Sequence, residues 1–175
     1  MRSLSGASLT VAAVLSLGAF ASVGCAKVGE IKAKKAFKSA NQAYQAQDYK
    51  KAAGLYEEAI AADPGLSVAY FYLGNSYDNL YKPSKKGEPD NDALLTKAVD
   101  NYQQAAEKLS ASSDPANKKL GTLSLQYLVA SYGPDKLNDP AKAEPVVQRM
   151  IQLEPGEPAN YFALAKIYED AGAYD

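Results

Sequence analysis

Tyr70-Phe71-Tyr72-Leu73-Gly74-Asn75-Ser76-Tyr77 is the stretch on which the fold turns. Tyr70, Leu73, Gly74 and Tyr77 fall at i, i+3, i+4 and i+7, which is one stripe of a helix and not the alternation of a strand. Further along, Ala98, Tyr102 and Ala105 make a second stripe of the same period. Gly74 against Ala98, like Ala40 against Ala52, lets two helix backbones approach closely while tyrosines fill the space beside them. Such a pair is an αα-hairpin. One hairpin cannot bury both of its faces, so hairpins must stack, and the expected fold is an all-α solenoid of αα-hairpins.

The pattern recurs along the chain. Tyr161, Leu164, Ala165 and Tyr168 repeat the first stripe with Ala in place of Gly. Weaker copies are Ala36, Ser39, Ala40 and Ala43, and Leu125, Leu128, Val129 and Tyr132. The second stripe appears as Ala52, Tyr56, Ala59 and a closing Pro64. It returns at Ala98, Tyr102 and Ala105 without a proline, and at Ala143, Val147, Met150 and Pro155. Read as W-x2-L-G-x2-Y followed by A-x3-F, A and P, with Tyr for Trp, these residues make the chain resemble a tetratricopeptide repeat protein from about Glu30 to its last residue. The resemblance implies a superhelix of about three and a half repeats over 33–175. These would be 33–66, 67–112, 122–157 and an incomplete 158–175.

Proline punctuates the repeats, because it cannot continue a helix and pushes Asp63 and Glu154 before it toward extended geometry. Pro64 and Pro155 are 91 residues apart, against about 68 for two repeats of about 34. Of the excess of about 23, twelve residues fall in Tyr81 to Asp92, nine around Ser110 to Asn117 and two in Gly133 to Pro140. The 81–92 insert, rich in Pro, Gly and charge, reads as a solvated loop, either a tether or a binding element. Asp114 is placed to cap a helix that begins at Pro115. Ala171-Gly172-Ala173-Tyr174-Asp175 aligns with Ala46-Gln47-Asp48-Tyr49-Lys50, the turn that leads into a second helix. Leu164, Ala165 and Tyr168 would then lack the helix that covers them, and the expectation is a fragment of a longer array.

The amino terminus reads as an address. Arg2 precedes an apolar stretch from Leu9 to Val23 without an acidic side chain, the layout of a secretory signal and too short to favour a membrane span. Ser22-Val23-Gly24-Cys25 resembles a bacterial lipobox, with Ser22 in place of the usual aliphatic residue. The resemblance implies a signal peptide of 1–24 and lipidation at Cys25. Ala26 after it implies sorting to the outer membrane, facing the periplasm, and 25–32 would be a linker. Ala19-Phe20-Ala21 is an alternative cleavage site that would release a soluble periplasmic or secreted chain.

Composition removes most chemistry from consideration. The 175 residues contain no His and one Cys, so an imidazole metal site, a His-based triad, a zinc cage and an internal disulfide are excluded. With 19 basic and 20 acidic residues there is no field to draw in nucleic acid. No glycine-rich phosphate loop occurs, and Glu57, Glu58 and Glu107 read as solvated positions. The expectation is a protein without catalysis, cofactor, metal or nucleic-acid partner. Its partners would be a protein or peptide, and a membrane reached through a lipid anchor.

The resemblance also implies where a partner would bind, since first helices of such repeats line a concave surface. Phe37, Phe71, Gln126 and Phe162 stand one place after the Tyr70-type position. Asn41, Asn75 and Lys166 lie four further along, and Tyr44, Asp78 and Glu169 three beyond those. One reading is a peptide groove with Phe anchors and amides bonding the peptide backbone. The other is that the aromatic residues pack between neighbouring helices. Phe37 and Phe71 occupy the places where carboxylate-clamping members of the family carry Lys, which argues against that specialisation. The function expected is an interaction scaffold of the bacterial cell envelope. An accessory subunit of an envelope enzyme, or the helical part of a larger enzyme, is the alternative.

Overall fold

The computed structural model describes the backbone of residues 18–172 and the side chains of residues 27–172. Among these residues the chain is all-α. Seven helices follow one another: α1 (Gly18–Gln45), α2 (Tyr49–Ala62), α3 (Ser67–Leu80), α4 (Pro89–Leu109), α5 (Pro115–Tyr132), α6 (Pro140–Leu153) and α7 (Pro158–Asp170). Each packs on the next in sequence order, and α3 also reaches α5. The result is a helical solenoid: hairpins α1/α2, α3/α4 and α5/α6, with α7 laid against α6.

The stripes behave as their spacing requires. Ala40, Ala52, Tyr56, Ala59, Leu73, Tyr77, Ala98, Tyr102, Ala105, Leu128, Tyr132 and Ala143 are all buried. At Gly74 the approach is close enough that a Cβ would stand 2.9 Å from the Tyr102 ring and 3.1 Å from the Ala98 carbonyl oxygen. Tyr70 is half-buried, with the Lys108 ammonium 5.4 Å from its ring centre. On α7 the corresponding stripe is open: Tyr161, Ala165 and Tyr168 are exposed and Leu164 half-buried.

The turns inside the α1/α2 and α5/α6 hairpins share one device. Gln47 and Asn138 take left-handed φ values of 60° and 53°. The following Asp48 and Asp139 then cap α2 and α6 by accepting from the Lys51 and Lys142 amides. Gly172, at the aligned place after α7, has φ 69°. Between hairpins, Asp63 and Glu154 sit at φ −147° and −138° ahead of Pro64 and Pro155, outside the helical region, as a residue before proline should be.

The inserts differ from their expected form. About half of the extra length extends helices: α4 has 21 residues and α5 has 18, against 14 in α2, α3 and α6. The 81–92 segment is exposed from Lys82 to Asp90, as expected of a solvated loop, but it is pinned at both ends. Only its first eight residues lie outside helix, with a 3-10 turn at Pro83–Lys85, and Pro89 opens α4 because proline suits a first helical position. Tyr81 and Asn91 are buried. The Asn91 side chain accepts from the Lys82 amide and donates to the Lys82 and Lys85 carbonyls, which folds the segment back on itself. Asp114 caps α5 by accepting from the Ala116 and Asn117 amides, and Pro115 follows it. The helix that carries the third copy of the stripe therefore begins at Pro115, ahead of position 122.

Residues 25–32, read as a linker, are helical within α1. The stretch holds no proline, and Lys34 bonds Glu30 one turn back at 2.6 Å. The signal, cleavage and lipidation readings fall on residues 1–25, of which residues 1–17 and the side chains of 18–25 lie outside the described residues. Among the described residues no helix is long and apolar enough to cross a membrane.

Candidate binding site

First helices stand side by side through aromatic contacts. Phe37 packs at 5.7 Å from Tyr56 and 6.2 Å from Tyr72. Phe71, only 6% exposed, lies between Tyr72 at 5.2 Å and Tyr127 at 6.0 Å. Phe71 is therefore not a groove anchor. One place after the Tyr70 stripe is the side of α3 that meets α5, and the ring is spent on that contact. Phe162 is 75% exposed, because no further first helix stands beside α7 among the described residues. No continuous exposed aromatic strip exists along these helices.

The amides are engaged as well. Asn41 accepts from the Tyr56 hydroxyl at 2.7 Å. Asn75 accepts from the Tyr44 hydroxyl at 2.5 Å and from Asn79 at 2.9 Å, and gives a long bond of 3.4 Å to the Tyr102 hydroxyl. Buried tyrosine hydroxyls need partners, and these asparagines meet that need before any peptide could. Gln126 is exposed in a cleft with Lys118, Lys119 and Glu154. Lys166 pairs with Asp170 at 2.9 Å and Glu169 is exposed. Neither lines a cavity with Asp78.

Three of the expected residues do converge. Tyr44, Asn75 and Asp78 line a cavity of about 370 Å³ together with Tyr49, Asn79, Tyr81, Pro83, Tyr127 and Lys136. The helices deliver them from separate hairpins. Tyr44 is in the last turn of α1 and Tyr49 opens α2. Asn75, Asp78 and Asn79 come from the second half of α3, Tyr127 from α5, and Lys136 from the α5–α6 turn. Asp78 pairs with Lys136 at 2.5 Å, their side chains 12% and 21% exposed, and also receives a long bond of 3.5 Å from the Tyr102 hydroxyl. Sequence reasoning misses Tyr49, Asn79, Tyr81, Tyr127 and Lys136. The Lys136 contact spans 58 residues, and no local pattern encodes it.

Burial sets the chemistry of the cavity. It pushes the Tyr44 phenol above its ordinary pKa, with Tyr49, Tyr127 and Tyr72 adding to the shift. Tyr102 is raised by burial and then by Asp78, and Tyr81 by burial and then by Asp92 and Asp78. These hydroxyls stay protonated at neutral pH, able to donate and accept but not to act as bases. Among the described residues no group of three or more Cys, Asp or Glu side chains could hold a metal ion. The arrangement is suited to recognition by hydrogen bonds, ring faces and one carboxylate.

A second set of polar contacts joins successive hairpins. Tyr77, Tyr132 and Tyr168 each meet a polar residue on the preceding second helix. Tyr77 donates to Glu57, Tyr132 accepts from Gln103 at 3.0 Å, and Tyr168 donates to Glu144 at 2.8 Å. Glu57 is thus not simply a solvated position: it takes the Tyr77 hydroxyl. The Lys97 ammonium lies 4.9 Å from the Tyr77 ring centre.

No protein-family model matches the chain, and no curated protein matches it in sequence.

Proposed function

We propose that this chain is a non-catalytic interaction scaffold of tetratricopeptide type that binds a peptide or protein partner on the face shared by α1, α3 and α5. The observation that carries the reading is the convergence of polar side chains from three hairpins on one cavity beside Asp78. The left-handed residues before the capping Asp48 and Asp139 and the buried Gly74/Tyr102 contact support the tetratricopeptide assignment. The lipobox-like Ser22 to Cys25 supports export and an anchor on the outer membrane of a bacterial envelope.

Site-specific photo-crosslinking in the native host tests the binding face. A photoreactive residue at Asn79, in the cavity, should trap a partner, and one at Glu107, on the opposite helix layer, should not. Equal yields from both positions would refute the assignment. For the anchor, wild-type chain should partition with membranes and carry diacylglycerol at Cys25, while Cys25→Ser should move to the aqueous fraction. An intact mass matching a chain cut after Ala21 without lipid refutes it.

A further inference from the structure

We propose that the cavity beside Asp78 receives a cationic side chain of the partner, a guanidinium or primary ammonium, which bonds to Asp78 and Tyr81 and displaces Lys136. The inference rests on the reading of this face as a binding surface and names the chemistry of what binds there.

The Asp78–Lys136 pair is unequal in its freedom. Asp78 projects from the second half of a well-packed helix and is the less exposed partner. Lys136 sits in the turn between α5 and α6, on a four-carbon stem that can carry its ammonium into water. When the pair opens, the exchangeable member is the cation, and what is left behind is a fixed carboxylate in need of one. An anion entering the cavity would face that carboxylate.

A second and independent feature is Tyr81. It is 6% exposed, lines the same cavity, and its hydroxyl oxygen is buried with no hydrogen-bond partner. Buried polar groups are nearly always paired, and an orphan signals a missing ligand or water. The charges acting on this hydroxyl come from Asp92 and Asp78, both negative. Its free lone pairs therefore suit a positively charged donor that reaches Asp78 at the same time. Tyr44, Tyr49 and Tyr127 add rings to the wall, and ring faces attract cations. Lys136 is the one basic side chain lining the cavity, already held by Asp78.

The test titrates Nα-acetyl-arginine amide into the full chain, with the norleucine and glutamate counterparts as controls, and follows backbone amide chemical shifts. Arginine should move the amides of Asp78, Tyr81 and Lys136 selectively. Lys136→Met, which removes the internal competitor, should tighten arginine binding several-fold, and Asp78→Asn should weaken it at least tenfold. Tyr81→Phe removes a hydroxyl that bonds to nothing, so it should fold as well as wild type yet bind arginine several-fold more weakly. Equal shifts from all three compounds would leave the binding face standing and overturn the cation assignment. Selective binding of the glutamate compound, or no binding of any of the three, overturns the assignment too. In those cases the crosslinks from Asn79 decide separately whether the face binds a partner. Unchanged binding by Tyr81→Phe would remove Tyr81 from the site and assign its hydroxyl to an ordered water.

Discussion

Three glycines separate what a residue does from how it looks in the sequence. Gly121 has no place in the repeat pattern, yet a Cβ there would stand 2.4 Å from the Ser110 nitrogen and 2.6 Å from its Cα. The contact is backbone against backbone, so neither side can rotate away, and Gly121→Ala should cost about 3 kcal/mol in urea unfolding. At Gly54, in the middle of α2, a Cβ would meet nothing within 4 Å. There Gly54→Ala should stabilise by about 0.5–1 kcal/mol, because a helix-interior glycine gives up more backbone entropy on folding. Equal effects at the two positions would mean that α4 and α5 do not meet at Ser110. Gly74 was legible because it falls on an apolar stripe with a partner stripe downstream. Gly121 was not, since its partner is the end of a helix whose length the sequence pattern understated. The same distinction governs the site. Tyr44, Asn75 and Asp78 follow from register along the helices, whereas Lys136 and Tyr81 lie in connections and reach the cavity only through the packing of separate hairpins.

At the scale of elements, the connections carry the departures from a regular repeat. Pro115 opens α5 with Asp114 accepting two amides in its first turn. Asp114→Ala should destabilise by about 1 kcal/mol, with increased amide exchange at Ala116 and Asn117. Full retention of stability would show that α5 is held by its packing on α4 alone. Helix identity and order were legible because periodicity survives substitution of Tyr for Trp or Ala for Gly. The excess residues were harder to place, because proline and glycine mark a turn equally well whether the neighbouring helix is short or long. Asn91 decides between those cases: its side chain closes the 82–85 segment, and that closure depends on three backbone groups which no sequence pattern specifies.

Over the whole molecule, the core is built of alanine backbone contacts with tyrosines between them, and this gives its stability a particular pH dependence. Tyr56 and Tyr102 expose no surface, and burial raises both phenols far above the ordinary value. Tyr77 is raised by burial and by its bond to Glu57. A phenol raised in the folded state holds its proton after the unfolded chain has released it. Stability is therefore unaffected below the unfolded value of about 10, and falls above it by about 1.4 kcal/mol per pH unit for each such tyrosine. Because Tyr56 and Tyr102 belong to one aromatic array, Tyr56 stacked on Tyr72 at 5.9 Å, Tyr102 stacked on Tyr127 at 5.1 Å and Phe71 between the two pairs, Tyr56 and Tyr102 should ionise together as the helices come apart. Tyrosinate absorbance and helical circular dichroism followed on one alkaline titration should change in a single steep step above pH about 10. Phenols that ionise one by one with the helical signal intact would mean that water reaches the array, and that alanine contacts alone hold the solenoid together.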